Sequence, residues 1–311
     1  MTLRIGITGA AGLVGQNLIP RLKASGFTDI VAVDKHPTNT ATLRRLHPDI
    51  QVIEANLAVD NGWQHEFGAC DVVVVCHAQI GGLDPDAFEQ NNVAATRRLI
   101  EVLKDRNRAY LVHLSSSVVE SVAVDWYTDS KEHQERIIVE SGLPYVVLRP
   151  TLMFGWFDRK HIGWLARFMQ RAPIFPIPGN GHYLRQPLYA GDLSDIIVSC
   201  IAKRPNSAAY NISGQEKIDY IDLMREVKRA CGARAAIVCI PYSLFRALLW
   251  TYGLFDRDPP FTTKQLQALV MPDVFEVIDW PRIFGVKPTP LRDALGQTFR
   301  HPEFSKIVLE F

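Results

Sequence analysis

The stretch Thr8-Gly9-Ala10-Ala11-Gly12-Leu13-Val14-Gly15 decides the fold. It follows a short β-rich run and precedes a segment of helical period, so it stands where a first strand turns into a first helix. Glycines there permit a tight turn, let the backbone approach a pyrophosphate and let the helix pack closely on the strand, while the helix N-terminus attracts the anion. The candidate pyrophosphate-binding residues are Gly9, Ala11, Gly12, Leu13, Val14 and Gly15.

Up to about residue 150, short apolar runs alternate with longer segments of helical period, which is the pattern of a parallel sheet. The four valines at 72–75 show no polar alternation, as expected for a strand that is buried on both faces. The predicted fold class is α/β, a doubly wound parallel (Rossmann) sheet. We predict its strands at residues 3–8, 29–34, 50–55, 71–76, 109–115 and 144–149.

The alternation of apolar runs and helical segments ends after Pro150. Residues 172–191 contain too many prolines and glycines for regular secondary structure. A smaller, less regular C-terminal α/β lobe is therefore expected beside the Rossmann domain. We assign residues 1–155 to the Rossmann domain, with a helix at 190–202 returning to it, and residues 156–189 and 203–311 to this second lobe, where we expect the substrate to bind. Further helical patterns lie at 218–232, 241–254, 262–269 and after Pro290.

Composition excludes several classes of protein. The 311 residues carry 34 Lys and Arg against 33 Asp and Glu, so no broad positive field is available to gather nucleic acid or an anionic membrane. Five cysteines form no CxxC pair and indicate buried thiols rather than a metal site. No apolar signal core follows Met1, so we expect a cytoplasmic location. The apolar stretch 240–255 is shorter than the roughly 20 residues of a membrane span and indicates a core or interfacial helix.

The second strand ends at Asp34, 25 residues beyond Gly9, where an acid can accept hydrogen bonds from the adenosine ribose hydroxyls of a dinucleotide. An acid there repels a 2′-phosphate, so the sequence favours NAD over NADP. Lys35, Arg44 and Arg45 keep NADP open as the alternative.

Tyr127 and Lys131 stand four residues apart on a predicted helix, and therefore on one face of it. A nearby ammonium and an oxidised nicotinamide both lower the pKa of a phenol, so this pair can move a proton while the cofactor moves a hydride. The serines at 115–117, at the end of the fifth strand, can bind the same substrate oxygen.

Together these features resemble the extended short-chain dehydrogenase/reductase superfamily, and in particular its NAD-dependent nucleotide-sugar epimerase/dehydratase group. The resemblance covers most of the chain. It rests on TGAAGLVG at 8–15, Asp34, Asn56-Leu57, His77-Ala78, Asn92-Val93, SSS at 115–117, YTDSK at 127–131, LRPTLMFG at 148–155, RQPLYAGDL at 185–193, FGVKP at 284–288 and PLRDAL at 290–295.

The resemblance implies roles for these positions. Lys131 would bind the nicotinamide ribose, and Ser117, with Ser116 as the alternative, would take the catalytic Ser/Thr place. Further residues implied around the cofactor are Lys35, Asn56, Leu57, His77, Ala78, Gln79, Asn92, Ser115 and Pro150. The substrate-binding residues would be Ser117, Tyr127, Leu152, Arg185 and Arg257, with Arg185 pairing with a sugar-nucleotide diphosphate.

Two departures from the family pattern concern the substrate. Ser117 and Tyr127 are only ten residues apart, where sugar-nucleotide epimerases commonly have a longer connection. Leu152 takes the place of a frequent substrate-binding Asn, and Phe154 replaces a frequent Tyr, so the pocket is more apolar than is usual in the family.

The predicted function is an NAD-dependent nucleotide-sugar epimerase acting at carbon 4 of the hexose, with Tyr127 as the acid/base. It would be a homodimer without a metal, a membrane span or a nucleic-acid partner. Three alternatives stay open: an NAD(P)H-dependent reductase of a 4-keto sugar nucleotide, a non-catalytic NAD(P)-binding subunit, and a dehydrogenase of sterol-like or other apolar alcohols. Arg185 speaks against the last, since an apolar alcohol has no diphosphate to pair with it.

Overall fold

The structure is a computed structural model that describes residues 3–82, 84–105, 109–120, 125–255, 266, 269–270 and 275–310, of which 252–255 are described by their backbone alone. Its largest element is a sheet of seven parallel strands in the order β3-β2-β1-β4-β5-β6-β11. These strands are β1 (Ile5–Thr8), β2 (Ile30–Asp34), β3 (Gln51–Glu54), β4 (Val72–Val75), β5 (Tyr110–Leu114), β6 (Tyr145–Pro150) and β11 (Ala208–Ile212).

The predicted doubly wound sheet is confirmed, and the six predicted strands form six of its seven members. In the centre of the sheet, β1 pairs with β2 on one side and with β4 on the other, and all three strands are almost completely buried. The four valines of β4 have no exposed surface, in agreement with their unbroken apolar run. The strand order reverses between β1 and β4, which is where such sheets bind their ligands.

Helices cover both faces of the sheet, and each face has its own apolar core. The helices of the first 140 residues are α1 (Leu13–Ala24), α2 (Pro37–Leu46), α3 (Gln64–Gly68), α4 (Pro85–Phe88), α5 (Ala95–Lys104) and α6 (Trp126–Val139), with a π-helical segment at Glu89–Ala94 and a 3-10 turn at Ser117–Glu120. The 3-10 turn lies between the end of β5 and the segment that precedes α6.

The second lobe is built around another apolar cluster, to which its short strands and helices contribute. Its strand pairs are β7 (Met153–Phe154) with β10 (Leu188–Tyr189), β8 (Ile174–Pro178) with β13 (Ala236–Ile240), and β9 (Leu184–Arg185) with β12 (Ile218–Asp219). The remaining helices are α7 (Ile162–Arg171), α8 (Ala190–Lys203), α9 (Tyr220–Cys231), α10 (Tyr242–Phe255), α11 (Trp280–Phe284) and α12 (Leu291–Arg300).

The Rossmann core takes in more of the C-terminal half than the sequence indicates. Helix α8 lies against α1, as expected for a segment that returns to the first domain. Strand β11 also joins the sheet beside β6, and Trp280 and Phe284 of α11 are buried in the same core. The helix expected at 262–269 falls largely outside the described residues. Among the helices that the structure describes, none combines the length and apolarity needed to cross a bilayer.

Candidate active site

The candidate site lies where the carboxyl ends of β1, β2, β4 and β5 meet at one edge of the sheet. The turn from β1 into α1 occupies the middle of this edge. Asp34 ends β2, His77 follows β4 and the three serines at 115–117 follow β5. Helix α6 brings Tyr127 and Lys131 to the same edge, against the end of β5.

The glycine turn is shaped to receive an anion. Gly9 has a φ of +63°, and a Cβ on it would lie 2.7 Å from the backbone nitrogen of His77. A Cβ on Gly15 would lie 2.3 Å from the carbonyl oxygen of Ala10. Gly12 caps α1 without a side-chain hydrogen bond, and no acid stands in the first turn. The first amides of α1 are therefore left without a side-chain cap or a nearby acid, which is the arrangement that binds a pyrophosphate at a helix N-terminus.

Asp34 braces this turn and lines the space beside it. One carboxylate oxygen accepts a hydrogen bond from the amide of Ala11 (3.0 Å) and the other from the amide of His36 (3.0 Å). Burial raises the pKa of Asp34, and these two amides oppose that effect by stabilising the charged form. Each carboxylate oxygen can accept a further bond, as the hydroxyls of an adenosine ribose require.

Lys35, Arg44 and Arg45, which left NADP as an alternative cofactor, are hydrogen-bonded or ion-paired to other side chains. Lys35 donates to Asn91 Oδ1 (2.8 Å), Arg44 pairs with Glu54 (3.4 Å) and Arg45 pairs with Glu303 (3.0 Å). A 2′-phosphate at Asp34 would have to compete with these partners, so the surroundings of Asp34 suit NAD.

Sequence reasoning missed two cations, Arg159 and Lys160, that lie near Asp34 and near Gly81 at this edge of the sheet. Arg159 lies close enough to Asp34 for their charges to attract, and Lys160 Nζ lies 3.1 Å from the position of a Cβ on Gly81. The loop that carries them is held by the Asp158 carboxylate, which accepts bonds from the amides of Lys160 (3.1 Å), His161 (3.0 Å) and Gly163 (2.8 Å). The signal was available in the run Asp158-Arg159-Lys160, directly after LRPTLMFG.

Tyr127 lies in the first turn of α6, which the Asp125 carboxylate caps by accepting the amide of Thr128 (2.8 Å). Burial raises the pKa of Tyr127, and the side chain of Ser116 lies near enough to the Tyr127 hydroxyl to oppose this by favouring the ionised form. The phenol is therefore held as a proton donor unless a positive charge is brought to it.

Lys131, one turn further along α6, is only 1% exposed. Its ammonium donates to the carbonyl oxygen of Leu114 (2.7 Å) and to Gln134 Oε1 (2.5 Å). Burial lowers its pKa to about 7. The i and i+4 spacing thus places both side chains at the site, but in the described residues Lys131 is hydrogen-bonded to the end of β5 and to Gln134, not to Tyr127.

Gln134 connects Lys131 to the interior of the sheet edge, and sequence reasoning did not find it. Its Nε2 donates to Thr96 Oγ1 (2.9 Å) and to the carbonyl oxygen of His77 (3.3 Å). The His77 ring in turn contacts Thr8 Oγ1 through Nδ1 (2.7 Å) and Thr96 Oγ1 through Nε2 (2.9 Å). Burial lowers the pKa of His77 to about 3, so the ring is neutral and structural.

The sequence profile of the NAD dependent epimerase/dehydratase family matches residues 5–213. The chain belongs to this family. It is therefore an NAD-dependent enzyme of the extended short-chain dehydrogenase/reductase type.

Relatives in the family include both epimerases and reductases. The chain is 22% identical to a UDP-glucose 4-epimerase of Vibrio cholerae, over 81% of this chain and 80% of the relative. It is 24% identical to a probable dTDP-4,6-dihydroxy-2-methyloxan-3-one 4-ketoreductase of Streptomyces antibioticus, over 94% and 93%. The fold is similar to that of a UDP-glucuronic acid 4-epimerase of Bacillus cereus crystallised with NAD, with a TM-score of 0.75, 20% identity and coverage of 96% and 98%.

The other predicted cofactor residues of this family member lie around the same edge. Asn92 is fully buried, accepts the amide of Gln79 (2.6 Å) and donates to Ser130 Oγ (2.8 Å). Ser115 is buried, and its hydroxyl has no hydrogen-bond partner among the described residues. Asn56 lies at a turn, where its Oδ1 accepts the amide of Ala58. Leu57 and Pro150 are buried, and Ala78 is exposed.

The predicted substrate residues are less closely grouped. Arg185 is buried, with its Cζ 5.2 Å from the Tyr183 ring centroid, and it donates to the carbonyl oxygens of Leu184 (2.9 Å) and Leu269. These contacts place it within the wall of the second lobe. Leu152 is half-buried after β6, Ser117 begins the 3-10 turn, and Arg257 lies outside the described residues. In the described part of the chain, no three His, Cys, Asp or Glu side chains group as a metal site.

Proposed function

We propose that the protein is an NAD-dependent nucleotide-sugar epimerase that acts at carbon 4 of the hexose. The observation that carries the proposal is the placement of Tyr127 near Ser116, with the buried Lys131 one helical turn away at the end of β5. This arrangement of residues suits the reversible oxidation of a sugar hydroxyl to a ketone. The nucleotide sugars named for the epimerase relatives support the substrate class.

In this proposal Tyr127 Oη takes the proton of the sugar hydroxyl and later returns it to the oxygen of the same carbon. Ser116 holds the reacting oxygen against the phenol, and the positive charge of Lys131 favours the phenolate. NAD, when bound, supplies reversible hydride acceptance. Because burial alone raises the pKa of Tyr127, the proposal requires positive charge at the site before the proton moves.

Ser116 is our choice for the catalytic Ser/Thr position. The sequence pattern offered Ser117 first, with Ser116 as the alternative. The proximity of Ser116 to the Tyr127 hydroxyl supports the alternative, because the group that holds the substrate oxygen must lie within reach of the phenol. Ser117 belongs to the following 3-10 turn.

A one-way reductase of a 4-keto sugar nucleotide is the second candidate. It is supported by the relative from Streptomyces antibioticus, which this chain matches over nearly its whole length. The short connection between Ser117 and Tyr127 also supports a pocket different from that of the epimerases. The same residues would then donate a proton to the ketone oxygen, with reduced cofactor consumed in each turnover.

The two candidates differ in how they use the cofactor. The purified chain is denatured, the released nicotinamide is identified, and the native protein is incubated with UDP-, GDP- and dTDP-hexoses and their 4-keto derivatives. An epimerase retains NAD and interconverts two epimers without added cofactor, whereas a reductase consumes added NADH or NADPH.

The variant Tyr127→Phe tests the proton transfer. We expect a loss of turnover of about 10²-fold or more with retained nicotinamide binding, because only the acid/base is removed. Tyr145→Phe, on β6, is the matched control and should keep its activity. Full activity of Tyr127→Phe would rule out this mechanism for either candidate.

A further inference from the structure

Helix α10 places apolar side chains in solvent instead of in a core. Leu244, Leu248 and Trp250 are 51%, 52% and 62% exposed. Leu244 and Leu248 are four residues apart and therefore neighbours on one side of the helix. Arg246 and Trp250 are also four residues apart and lie on the opposite side of the helix. An amphipathic helix that packs on a core directs its leucines inward, whereas the described residues leave these leucines of α10 uncovered.

The strand pair before α10 continues the same apolar surface. Ala236 of β13 is paired with Ile174 of β8, and Val238 follows two residues later on the same face. Ile174 and Val238 are 52% and 41% exposed. The alternate residues of β8, Phe175 and Ile177, are buried in the second lobe, so one face of this two-stranded sheet packs and the other is presented outward. Only Pro241 separates β13 from α10.

The segment that carries this apolar surface is rich in positive charge. Residues 220–255 contain five Lys and Arg but two Asp and Glu, although the whole chain has a net charge of only +1. Arg225, Lys228 and Arg229 of α9 line an open pocket of about 460 Å³ with Ile237, which lies on the packed face of β13, at the edge of the outward face. Arg171 and Arg234 stand just before β8 and β13, whose starts lie side by side in the parallel register.

The two acids of this region are already paired. Asp222 binds Arg225 (2.7 Å), and Glu226 binds Arg229 (2.7 Å) and Arg292 (2.9 Å). Among the residues that the structure describes, Arg171, Lys228, Arg234 and Arg246 make no ion pair with an acid. A partner for this surface must combine an apolar layer with negative charges at its edge.

We infer that α10 and the outer face of β8 and β13 bind the surface of an anionic lipid bilayer. Exposed leucines enter the boundary between headgroups and acyl chains, while Lys and Arg bind the headgroup phosphates. The 14 residues of α10 are too few to span a bilayer, so the helix lies in the plane of the surface. A second copy of the chain suits the surface less well, because a two-fold contact would bring two positive rims together.

This surface is independent of the proposed catalytic function, and its test needs no substrate. The full chain is sedimented with vesicles of phosphatidylcholine alone and with vesicles that contain about 30% phosphatidylglycerol. Binding is expected to the anionic vesicles and to weaken when salt is raised to about 0.5 M.

The double variant Leu244→Ser/Leu248→Ser should lower the affinity for anionic vesicles at least about tenfold, because it removes the apolar contact. Lys228→Glu/Arg234→Glu should abolish the preference for anionic over neutral vesicles. Val59→Glu is the matched control, since Val59 is an exposed apolar residue of the Rossmann domain, and it should bind like the parent chain. Far-UV circular dichroism and nicotinamide binding check that each variant is folded.

Three results would overturn the inference. The first is a parent chain that sediments with neither kind of vesicle, and the second is a Leu244→Ser/Leu248→Ser variant that binds as tightly as the parent. The third is a parent chain that is dimeric by analytical ultracentrifugation and that the same double variant converts to a monomer, which would instead assign the surface to a second copy.

Discussion

Replacing Lys131 by methionine should change the pH dependence of stability, because the lysine is an ammonium buried among protein groups. Burial lowers its pKa from an ordinary value of 10.5 to about 7. Between these two values the unfolded chain binds one more proton than the folded chain, so the stability of the parent rises with pH. The penalty for burying the charge is complete below about pH 7 and disappears above about pH 10.5.

The magnitude follows from the two pKa values. Each unit is worth about 1.4 kcal/mol, so the penalty falls by roughly 3–4 kcal/mol between about pH 7 and about pH 10. The Lys131→Met variant would carry no such penalty, but it would leave the Leu114 carbonyl and Gln134 Oε1 without their donor, at a cost of about 1–3 kcal/mol each that does not vary with pH. The variant should therefore be close to the parent in stability near pH 7 and clearly less stable near pH 10.

Urea unfolding followed by circular dichroism at several pH values measures this difference. Other groups that titrate in the range are common to both proteins and cancel in the comparison. The exposed Lys217, replaced by methionine, is the matched control and should show a constant difference from the parent. If the difference between Lys131→Met and the parent were also constant across the range, the lysine would be titrating as an exposed group and the argument from burial would be wrong.

Three further variants test the parts of the site. Gln134→Leu removes an acceptor of the Lys131 ammonium and should lower turnover about tenfold. Because Lys131 would then lose its charge at a lower pH, the alkaline limb of the pH profile of kcat should move to lower pH. An unchanged profile would contradict a role of Gln134 in stabilising the Lys131 charge. Gly9→Ala forces a Cβ against the His77 backbone at positive φ and should lower Tm and weaken nicotinamide binding in a fluorescence titration, a result that unchanged affinity would refute. Arg159→Ala should weaken NAD binding about five- to tenfold at low salt and less at high salt; equal loss at both would exclude an electrostatic role.

Local signals in the sequence predicted those parts of the molecule that depend on local interactions. The glycines at 8–15 predict a tight turn, and the valine run at 72–75 predicts a strand buried on both faces. Each signal lies within a few residues, and the structure has a turn and a buried strand there. Tyr127 and Lys131 were found for the same reason, since their spacing alone places them on one side of α6.

Residues whose importance depends on distant partners were missed. Gln134 meets His77 and Thr96 across 57 and 38 residues of sequence, and no periodicity records such a contact. Strand β11 is an edge strand of five residues with only Ile212 fully buried, so its pattern gave little sign that it completes the main sheet. In α10 the apolar sequence was found, but apolarity does not tell whether a face packs on the chain or on another partner.

The buried hydrogen bonds around His77 unite motifs that the sequence presents separately. The Thr96 hydroxyl donates to the Asn92 carbonyl (2.7 Å), so its oxygen can only accept from the His77 ring and from Gln134. With the ring neutral, this arrangement favours a proton on Nε2 and a hydrogen bond from Thr8 to Nδ1; Gln134 Nε2, 3.2 Å from the same Nε2, then donates to Thr96 and to the His77 carbonyl. Thr8 enters the glycine turn, and Gln134 holds Lys131. The neutral His77 thus connects the glycine turn, through Thr8, to helix α6, through Thr96 and Gln134.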